Sequence, residues 1–569
     1  MPSALAPHGC RWCCWPCPFQ DLAGLFYGLR FHRGSLAPLV KQNVLSRRPS
    51  KQGVLDIHAL LLCPDPSRHL NDAYRTLGNL GKGGFGSVFR VRHLATSEER
   101  AVKVIRKPPD AGDLDRVLLE VALLIQLDHP NIMKFHEYFE DKNFVCLVTE
   151  LCMGGNLGEL NVQDNTMDEI RLLFRDVVGA VAYLHSKGIA HRDLKFQNCL
   201  LTAADHCHRP VAKLIDFGLS SVRRPGDASG RWMKEPVGTV AFVAPEVLSD
   251  THYGPECDVW SIGIMLYIVL TDQHPFTDRA PAVSGVLVHA IKRGPMRLGP
   301  LDGASADSDA RDLLLKLLRK DPHKRLDART ALAHRFIRGL ADGNASPSAA
   351  CQGRTPRISQ LGMQSMMDRL CSFVHFTCFE RAIMTLVAHE AQAREVEDLR
   401  AAFVALDADR AGYLSRREFR AAVSAKGIAP PEAELEAALQ ALDPDGDDKI
   451  EYTDWLAATL SPAAITKDTA MRELFNFFDI HGEGQVSKDD LRDVLGEDVA
   501  EEVLKRTHHE NGNGGVSWQE FKVSRSFSRC ISPCLARLPS LTVSRFAVLI
   551  ADVARHLESV GRRRPRLPG

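Results

Sequence analysis

The sequence predicts an α+β fold in its first part and an all-α domain after it. Short apolar segments bounded by turns, at 87–91, 101–105 and 144–149, are typical of β-strands. Later segments, at 168–187 and 258–270, carry apolar residues at the spacing of a helix. Beyond residue 395 a helix–loop–helix pattern recurs four times, which indicates a repeated helical unit.

The composition is that of a globular chain, with 569 residues, 45% hydrophobic and 25% charged. At about 100–200 residues per domain, this length predicts about three to five structural units. No stretch reaches the roughly 18–20 consecutive apolar residues of a membrane-spanning helix, and no secretory signal is evident. The 15 cysteines are odd in number and scattered. They argue against a disulfide framework and favour a reducing, cytoplasmic location.

A net charge of zero hides an uneven distribution. Residues 395–521 contain 28 acidic and 13 basic residues, whereas residues 522–569 contain 2 acidic and 10 basic ones. We expect the basic tail either to be merely solvated or to contact a membrane surface or an acidic partner. Nothing beyond this charge indicates nucleic-acid binding. A cysteine cluster at 10–17 leaves three interpretations open: an extension without a role, palmitoylation, or zinc binding.

A glycine-rich turn between two predicted strands has the pattern of a phosphate-binding loop. Residues 81–88 read GKGGFGSV, which fits G-x-G-x-x-G-x-V. Glycine lets backbone N–H groups approach phosphate oxygens with no side chain in the way. The turn is followed by a strand and not by a helix, which argues against a dinucleotide site. Lys103 lies farther on in an apolar strand, where a buried charge requires a partner.

Three more motifs follow in order: HRDLKFQN at 191–198, DFG at 216–218 and APE at 244–246. With the glycine-rich loop and Lys103, this set resembles the eukaryotic protein kinase family over residues 74–337. The resemblance implies a bilobal protein-kinase fold, ATP and Mg²⁺ as cofactors, and protein substrates. A lysine two residues after Asp193 is the serine/threonine-kinase pattern.

The resemblance also implies roles for individual residues, because phosphoryl transfer depends on positioning and electrostatics. Lys103 would hold the α- and β-phosphates and pair with Glu120, while Asp193 would accept the proton of the substrate hydroxyl. The expected catalytic residues are Asp193, Lys195 and Asn198, and the expected Mg²⁺ ligands are Asn198 and Asp216. The expected nucleotide-binding residues are Leu80, Gly81, Gly83, Gly86, Val88, Ala101, Lys103, Glu120, Glu150 and Cys152.

Several supporting contacts come with the resemblance. Thr239 should hydrogen-bond near Asp193, and Asp258 should brace the catalytic loop from the start of a helix. Glu246 and Arg325 should form a structural ion pair. The segment DHPNI at 128–132 is also family-like, and we expect no chemistry from it.

Three departures from the kinase pattern are visible. Phe196-Gln197 replaces the usual Pro-Glu at positions that do no chemistry. Asn156 stands where an acid commonly contacts the ribose or a basic substrate residue, so a preference for basic substrates does not follow. The activation segment contains serines that are either phosphorylated or merely solvated. They are Ser220, Ser221 and Ser229.

The repeats resemble EF-hands, whose 12-residue loops bind Ca²⁺ through oxygens at positions 1, 3, 5, 7, 9 and 12. The loops begin at Asp407, Asp443, Asp479 and His509. Asp448 occupies the glycine position of the second loop, where a positive φ is required. We expect the first two loops to bind Ca²⁺ and the last two to preserve the fold without tight binding. The expected ligands are Asp407, Asp409, Tyr413, Glu418, Asp443, Asp445, Asp447, Lys449 and Asp454.

A kinase domain, a helical junction and four EF-hands in this order resemble the calcium-dependent protein kinases of plants and protists. The segment 361–388 reads as one helix that would bind either the kinase groove or an apolar cleft opened in the EF-hands. Alternatives are a calcium-sensing scaffold with an inactive kinase fold, or an active kinase with structural hands. The predicted segments are an extension (1–73), the kinase domain (74–337), a linker (338–356), an autoinhibitory junction helix (357–394), EF-hand pair 1 (395–458), a degenerate EF-hand pair 2 (459–523) and a basic tail (524–569).

Overall fold

The computed structural model divides the chain into two compact units. One is built from Asn156–Cys199 and Asp216–Asp342, and the other from Leu36–Gly155, Leu200–Ile215 and Gly343–Gly569. The cysteine cluster and the basic tail lie outside the described residues. The residues that the structure describes are 69–83, 86–107, 111–160, 164–202, 209–223, 230–249, 251–277, 284–301, 307–339, 360–376, 378–391, 393–408, 411–425, 431–443, 446–460, 472, 475, 478–479, 483–495 and 515–518.

A five-stranded antiparallel sheet with one long helix forms the N-terminal lobe. The strand order is β1-β2-β3-β5-β4. The predicted strands at 87–91, 101–105 and 144–149 are confirmed. A short helix starts at Leu70, where the sequence predicted irregular chain. The elements are α1 (Leu70–Ala73), β1 (Tyr74–Gly83), β2 (Gly86–His93), β3 (Glu99–Arg106), α2 (Ala111–Gln126), β4 (Phe135–Glu140) and β5 (Phe144–Glu150).

Alternating apolar residues close one face of this sheet. Val91, Val102 and Val148 are almost completely buried and pack with Tyr74 and Phe139. β-Branched and aromatic side chains fit a pleated, half-buried surface, which explains why these segments form strands. The sheet therefore holds the ends of β1, β2 and β3 in a fixed register.

The other unit is mostly helical. Helix α3 begins with a capping box in which Thr166 and Glu169 satisfy each other's backbone N–H groups. Helix α4 is apolar on all sides and buried along most of its length, as expected for a central core helix. The elements are α3 (Met167–Ser186), β6 (Ile189–Ala190), β9 (Ser221–Val222), α4 (Glu256–Thr271), α5 (Ser284–Arg293), α6 (Ser308–Leu317), α7 (Ala328–Leu332) and α8 (Arg335–Arg338). The ribbon of β7 (Cys199–Leu201) and β8 (Ala212–Leu214) lies between β6 and β9 in the sequence, but Leu200–Ile215 belongs to the unit that contains the five-stranded sheet.

A buried ion pair ties three parts of the helical unit together. The Arg325 guanidinium donates to both carboxylate oxygens of Glu246, at 2.5 and 3.0 Å, and to the backbone oxygen of Glu256. It also lies over the ring of Trp260, which stacks on Phe276. The pair expected from the sequence is thus confirmed, and it anchors the end of the activation segment to α4.

The C-terminal region is helical, as predicted. Its first helices share one apolar core with the EF-hand helices, including Met367, Phe373, Phe403 and Trp455. None of the helices among the described residues has the length and apolar character needed to cross a membrane. The elements are α9 (Gln360–Val374), α10 (Cys378–Glu390), α11 (Ala393–Leu406), α12 (Arg416–Ala425), α13 (Glu432–Leu442), α14 (Tyr452–Thr459), β10 (Gln485–Ser487), α15 (Lys488–Leu495) and β11 (Gly515–Ser517).

The prediction of one continuous helix over 361–388 was wrong. Helix α9 ends at Val374, and α10 begins at Cys378. The Phe376 N–H bonds back to the Phe373 oxygen, and the Arg381 guanidinium donates to the Val374 oxygen at 2.9 Å. These bonds satisfy carbonyl oxygens that would otherwise be bonded within a continuing helix. The chain can therefore turn here without leaving these oxygens unpaired.

The buried ion pair yields a stability prediction. We expect Glu246→Gln to lower the free energy of unfolding by about 3–5 kcal/mol, because Arg325 would remain buried with its charge uncompensated. Denaturant unfolding of the full chain measures this. Asp312→Asn is the matched control, since Asp312 pairs with Lys316 at the surface and exposed pairs contribute about 0–1 kcal/mol. Equal effects of the two substitutions would contradict the prediction.

Candidate functional site

The N-terminal lobe contains the expected lysine–glutamate pair. Lys103 Nζ on β3 lies 2.6 Å from Glu120 Oε1 on α2. Glu120 is almost completely buried, and the lysine retains about a fifth of its side-chain exposure. The buried carboxylate is therefore compensated, and Lys103 is positioned with its ammonium partly open to solvent.

The glycine-rich loop forms the hairpin between β1 and β2, with Gly83 opposite Gly86. A Cβ atom on Gly86 would approach the backbone oxygen of Val104 to 2.2 Å. This close approach of two strands admits glycine and no larger residue. Leu80, an expected nucleotide contact, is 43% exposed.

An ion pair and a backbone hydrogen bond fix the end of β5. The Glu150 carboxylate accepts from Lys213 Nζ at 2.9 Å and from the Lys134 N–H at 2.7 Å. Burial alone would raise the pKa of Glu150, but the Lys213 ammonium and these bonds hold it below its ordinary value. Burial raises the pKa of the Cys152 thiol, so it stays protonated. The side chain of Glu150 is thus occupied in fixing this segment.

The catalytic-loop residues converge on one carboxylate. Asp193 Oδ1 accepts from the hydroxyl of Thr239 at 2.8 Å and from its N–H at 3.0 Å. Asp193 Oδ2 pairs with Lys195 Nζ, and the Asn198 amide donates to the Asp193 backbone oxygen at 2.8 Å. Because the amide nitrogen of Asn198 is turned to Asp193, its oxygen is the atom that it can offer to a cation. Asp216, the other expected Mg²⁺ ligand, lies in the same unit and adopts a positive φ of 66°.

A second buried carboxylate braces this loop. Asp258 on α4 accepts the N–H groups of His191 and Arg192, both at 2.8 Å, as the sequence predicted. The ring of His185 on α3 lies 2.9 Å from the same carboxylate. Burial alone would raise the pKa of Asp258, but these contacts lower it. His185 was missed by the sequence analysis, since no motif contains it.

The departures from the kinase pattern have local explanations. Asn156 caps the short 3₁₀ helix Leu157–Glu159, because its side-chain oxygen accepts the Gly158 N–H at 2.9 Å. Phe196 contacts the ring of Phe242 edge to face. The expectation that Ser220 is an exposed loop serine was wrong, because this residue is 3% exposed. Ser221 accepts from Trp232 Nε1, and Ser229 lies outside the described residues.

The EF-hand loops share one way of holding their first carboxylate. Asp407 accepts the N–H groups of Ala411 and Gly412, at loop positions 5 and 6. Asp443 and Asp479 accept the corresponding bonds in the second and third loops. Asp448 has the positive φ, 64°, that the sequence predicted for position 6. The loops are thus folded around carboxylates, the hard oxygen donors that Ca²⁺ prefers.

The first two loops are paired. Leu414 and Ile450, at position 8 of each, exchange backbone hydrogen bonds of 3.0 and 2.8 Å. Two expected ligands, Asp409 and Asp445, lie outside the described residues. Within the described residues, no three His, Cys, Asp or Glu side chains are gathered as a metal-binding group. Tyr413, Glu418, Asp447, Lys449 and Asp454 are described.

Two cations pair with carboxylates of the second loop. Arg416 on α12 donates through Nε to Asp443 Oδ2 at 2.9 Å, and its Nη2 lies 2.9 Å from the same oxygen. Lys449 Nζ lies 2.7 Å from Asp447 Oδ2. The sequence analysis did not identify these pairs. Arg416 stands at position 10 of the first loop, so its contact with the second could not be deduced from spacing within one loop.

Comparison with known proteins gives the same order of domains. A protein kinase domain matches residues 74–337, and EF-hand domain pairs match residues 396–460 and 454–497. Calcium-dependent protein kinase 17 of Arabidopsis thaliana is 31% identical over 468 residues, covering 80% of this chain and 84% of that protein. Calcium-dependent protein kinase 3 of Oryza sativa subsp. japonica is 32% identical over 483 residues, covering 81% and 83%. Calcium-dependent protein kinase 5 of Plasmodium falciparum is 28% identical over 453 residues, covering 78% and 76%.

The chain belongs to the calcium-dependent protein kinase family. It is a calcium-regulated serine/threonine protein kinase with ATP, Mg²⁺ and Ca²⁺ as cofactors and proteins as substrates. The predicted fold class and function are confirmed. The roles of individual residues, the cytoplasmic location and the membrane contact of the tail stay predictions.

The guanidinium beside Asp443 leads to a prediction about calcium affinity. A positive charge next to a ligand carboxylate opposes a divalent cation, and an interaction of about 1 kcal/mol corresponds to about a fivefold change in affinity. We therefore expect Arg416→Gln to tighten calcium binding at the second loop about fivefold. Calorimetric titration of the full chain with Ca²⁺ measures this.

Arg420→Gln is the matched control for this titration. Arg420 lies on the same helix and pairs with Glu432 and Glu436. It should leave the affinity within about twofold of the unaltered chain. Weaker or unchanged calcium binding by Arg416→Gln would contradict the prediction and assign Arg416 a purely structural role.

Proposed function

We propose that Asp193 receives the proton of a serine or threonine hydroxyl as the γ-phosphate of ATP is transferred to it. The observation that carries this proposal is the fixed carboxylate, held by Thr239 on one oxygen and by Lys195 on the other. A base held in one orientation can accept a proton without reorganisation in the transition state. Lys195, beside it, would neutralise charge that develops on the transferred group.

The other site residues act by binding and orientation. Asn198 and Asp216 would hold Mg²⁺ through oxygen atoms, and Lys103, aligned by Glu120, would bind the α- and β-phosphates. ATP·Mg²⁺ supplies the phosphoryl group when bound. Asp258 keeps the backbone of His191 and Arg192 in place and so sets the position of Asp193. With Lys103, Asp193, Asn198 and Asp216 all intact, the chain favours the active enzyme over an inactive scaffold.

Regulation would depend on the junction helices α9 and α10. The apolar residues of α9 and α10 are buried with those of the EF-hand helices, which is one of the two alternatives predicted for this segment. Arg369 on α9 donates to the Thr459 oxygen at 2.7 Å, so it caps the C-terminal end of α14. An element bound to the EF-hands cannot occupy the kinase groove at the same time. Calcium would therefore act by stabilising this arrangement.

Phosphate transfer from ATP·Mg²⁺ to a serine/threonine peptide, with Ca²⁺ and with a chelator, tests the proposal. We expect calcium to stimulate the full chain about tenfold or more, within the usual range of allosteric coupling. Asp193→Asn should reduce the stimulated rate by about 10²–10⁴, because the proton acceptor is lost. Equal rates with and without calcium would instead support an active kinase with structural hands.

A matched pair of loop variants locates the calcium control. We expect Asp443→Ala to abolish most of the stimulation, since it removes the first ligand of the second loop. Asp479→Ala removes the equivalent residue of the third loop and should leave stimulation within about twofold. The same assay measures both. A larger loss with Asp479→Ala would show that the degenerate pair is the sensor.

A further inference from the structure

Three residues of the N-terminal lobe, which we name the cap surface, contact the ends of C-terminal helices. They are Asp128, Lys134 and His136. Asp128 follows the end of α2, and the other two residues lie at the start of β4. Their partners are more than 250 residues away in sequence. All of these contacts lie within one compact unit.

The first contact caps the start of α14. Asp128 Oδ2 accepts the Thr453 N–H at 2.7 Å, and Asp128 Oδ1 accepts the Thr453 hydroxyl at 2.9 Å. The N–H groups in the first turn of a helix have no partner within the helix, and the helix dipole favours an anion there. Thr453 is 5% exposed, so this N–H needs a partner from the protein. Asp128 therefore acts as an N-cap supplied from a different domain.

The second contact lies at the end of α10. Lys134 Nζ donates to the backbone oxygen of Ala391 at 3.2 Å, just beyond the last residue of α10. A cation at a helix C-terminus is the favourable counterpart of an anion at an N-terminus. His136 and His389 lie next to each other, with ring centroids 6.0 Å apart. The cap surface thus places an anion at the start of α14 and a cation at the end of α10, and these two helices pack together.

Each residue of the Asp128–Thr453 contact lies close in sequence to a functional residue. Thr453 is position 11 of the second EF-hand loop and precedes Asp454, the expected ligand at position 12. Asp128 lies two residues beyond the last residue of α2, the helix that carries Glu120, and Glu120 pairs with Lys103. A movement of Asp454, at position 12 of the second loop, must therefore move Thr453 and either shift or break its hydrogen bonds with Asp128.

We infer that the Asp128–Thr453 contact couples calcium binding at the second loop to the Lys103–Glu120 pair. This inference rests on the calcium regulation proposed above. Coupling is reciprocal, so a nucleotide bound at Lys103 must strengthen calcium binding by the same factor by which calcium strengthens nucleotide binding. The cap contact and the ion pair are both formed in this structure. The coupling is positive if calcium stabilises this arrangement, as proposed above.

Calorimetry on the full chain at constant Mg²⁺ tests the inference. Ca²⁺ is titrated with and without a non-hydrolysable ATP analogue. In the unaltered chain, we expect the analogue to lower the calcium dissociation constant about fivefold or more. Asp128→Asn and Thr453→Val should each reduce this ratio to near one, and the double variant should add nothing further. Thr453→Ser keeps the hydroxyl and should restore the ratio, which separates loss of the contact from loss of fold.

Asp141→Asn serves as the control variant. Asp141 lies in the same lobe and caps the β4–β5 turn by accepting the N–H groups of Asn143 and Phe144. In the Asp141→Asn variant, the ATP analogue should lower the calcium dissociation constant by the same factor as in the unaltered chain. A ratio near one in the unaltered chain, or an unchanged ratio in both contact variants, would overturn the inference. Calcium-stimulated phosphate transfer is measured on the same variants. A loss of the ratio with stimulation retained means that only this coupling fails, whereas a loss of both means that the proposed regulation fails as well.

Discussion

A carboxylate removed from water needs donors, and much of this structure follows from that requirement. Glu120, Glu246 and Asp258 are each buried and each receive bonds from a cation, a histidine or backbone N–H groups. Because the donors come from different elements, each carboxylate fixes the relative position of two chain segments. Within its own unit, each of these anions fixes one part of the kinase machinery. Glu120 fixes Lys103, and Asp258 fixes the backbone of the catalytic loop.

The same requirement shapes the calcium loops. Asp407 and Asp443 are nearly inaccessible, and each gathers N–H groups from its own loop. A loop folded in this way has its first carboxylate fixed before a cation arrives, so calcium has less chain to order. In the second loop the Arg416 guanidinium adds a competing charge. The two loops thus have similar backbones but different electrostatic surroundings.

Motifs whose partners lie at fixed spacings were predictable from the sequence. The Lys103–Glu120 pair, the Thr239–Asp193 bond and the positive φ of Asp448 all appear as predicted. The contacts of Asp128 were not predictable, and the expectation that its motif does no chemistry missed its role as a cap. Its partner Thr453 is 325 residues away and belongs to a different domain. No local pattern encodes such a pairing, because an exposed-looking aspartate after a helix fits a solvated turn equally well.

The break between α9 and α10 has a consequence for regulation. A single rigid helix over 361–388 would transmit a displacement at one end directly to the other. Two helices joined by a turn can respond separately, α9 through Arg369 and α10 through its contact with Lys134. Both contact the first EF-hand pair, whose last helix α14 touches Arg369 at one end and Asp128 at the other. The expectation that the third and fourth loops bind calcium weakly is then compatible with calcium control, because Thr453, which contacts the N-terminal lobe, belongs to the second loop.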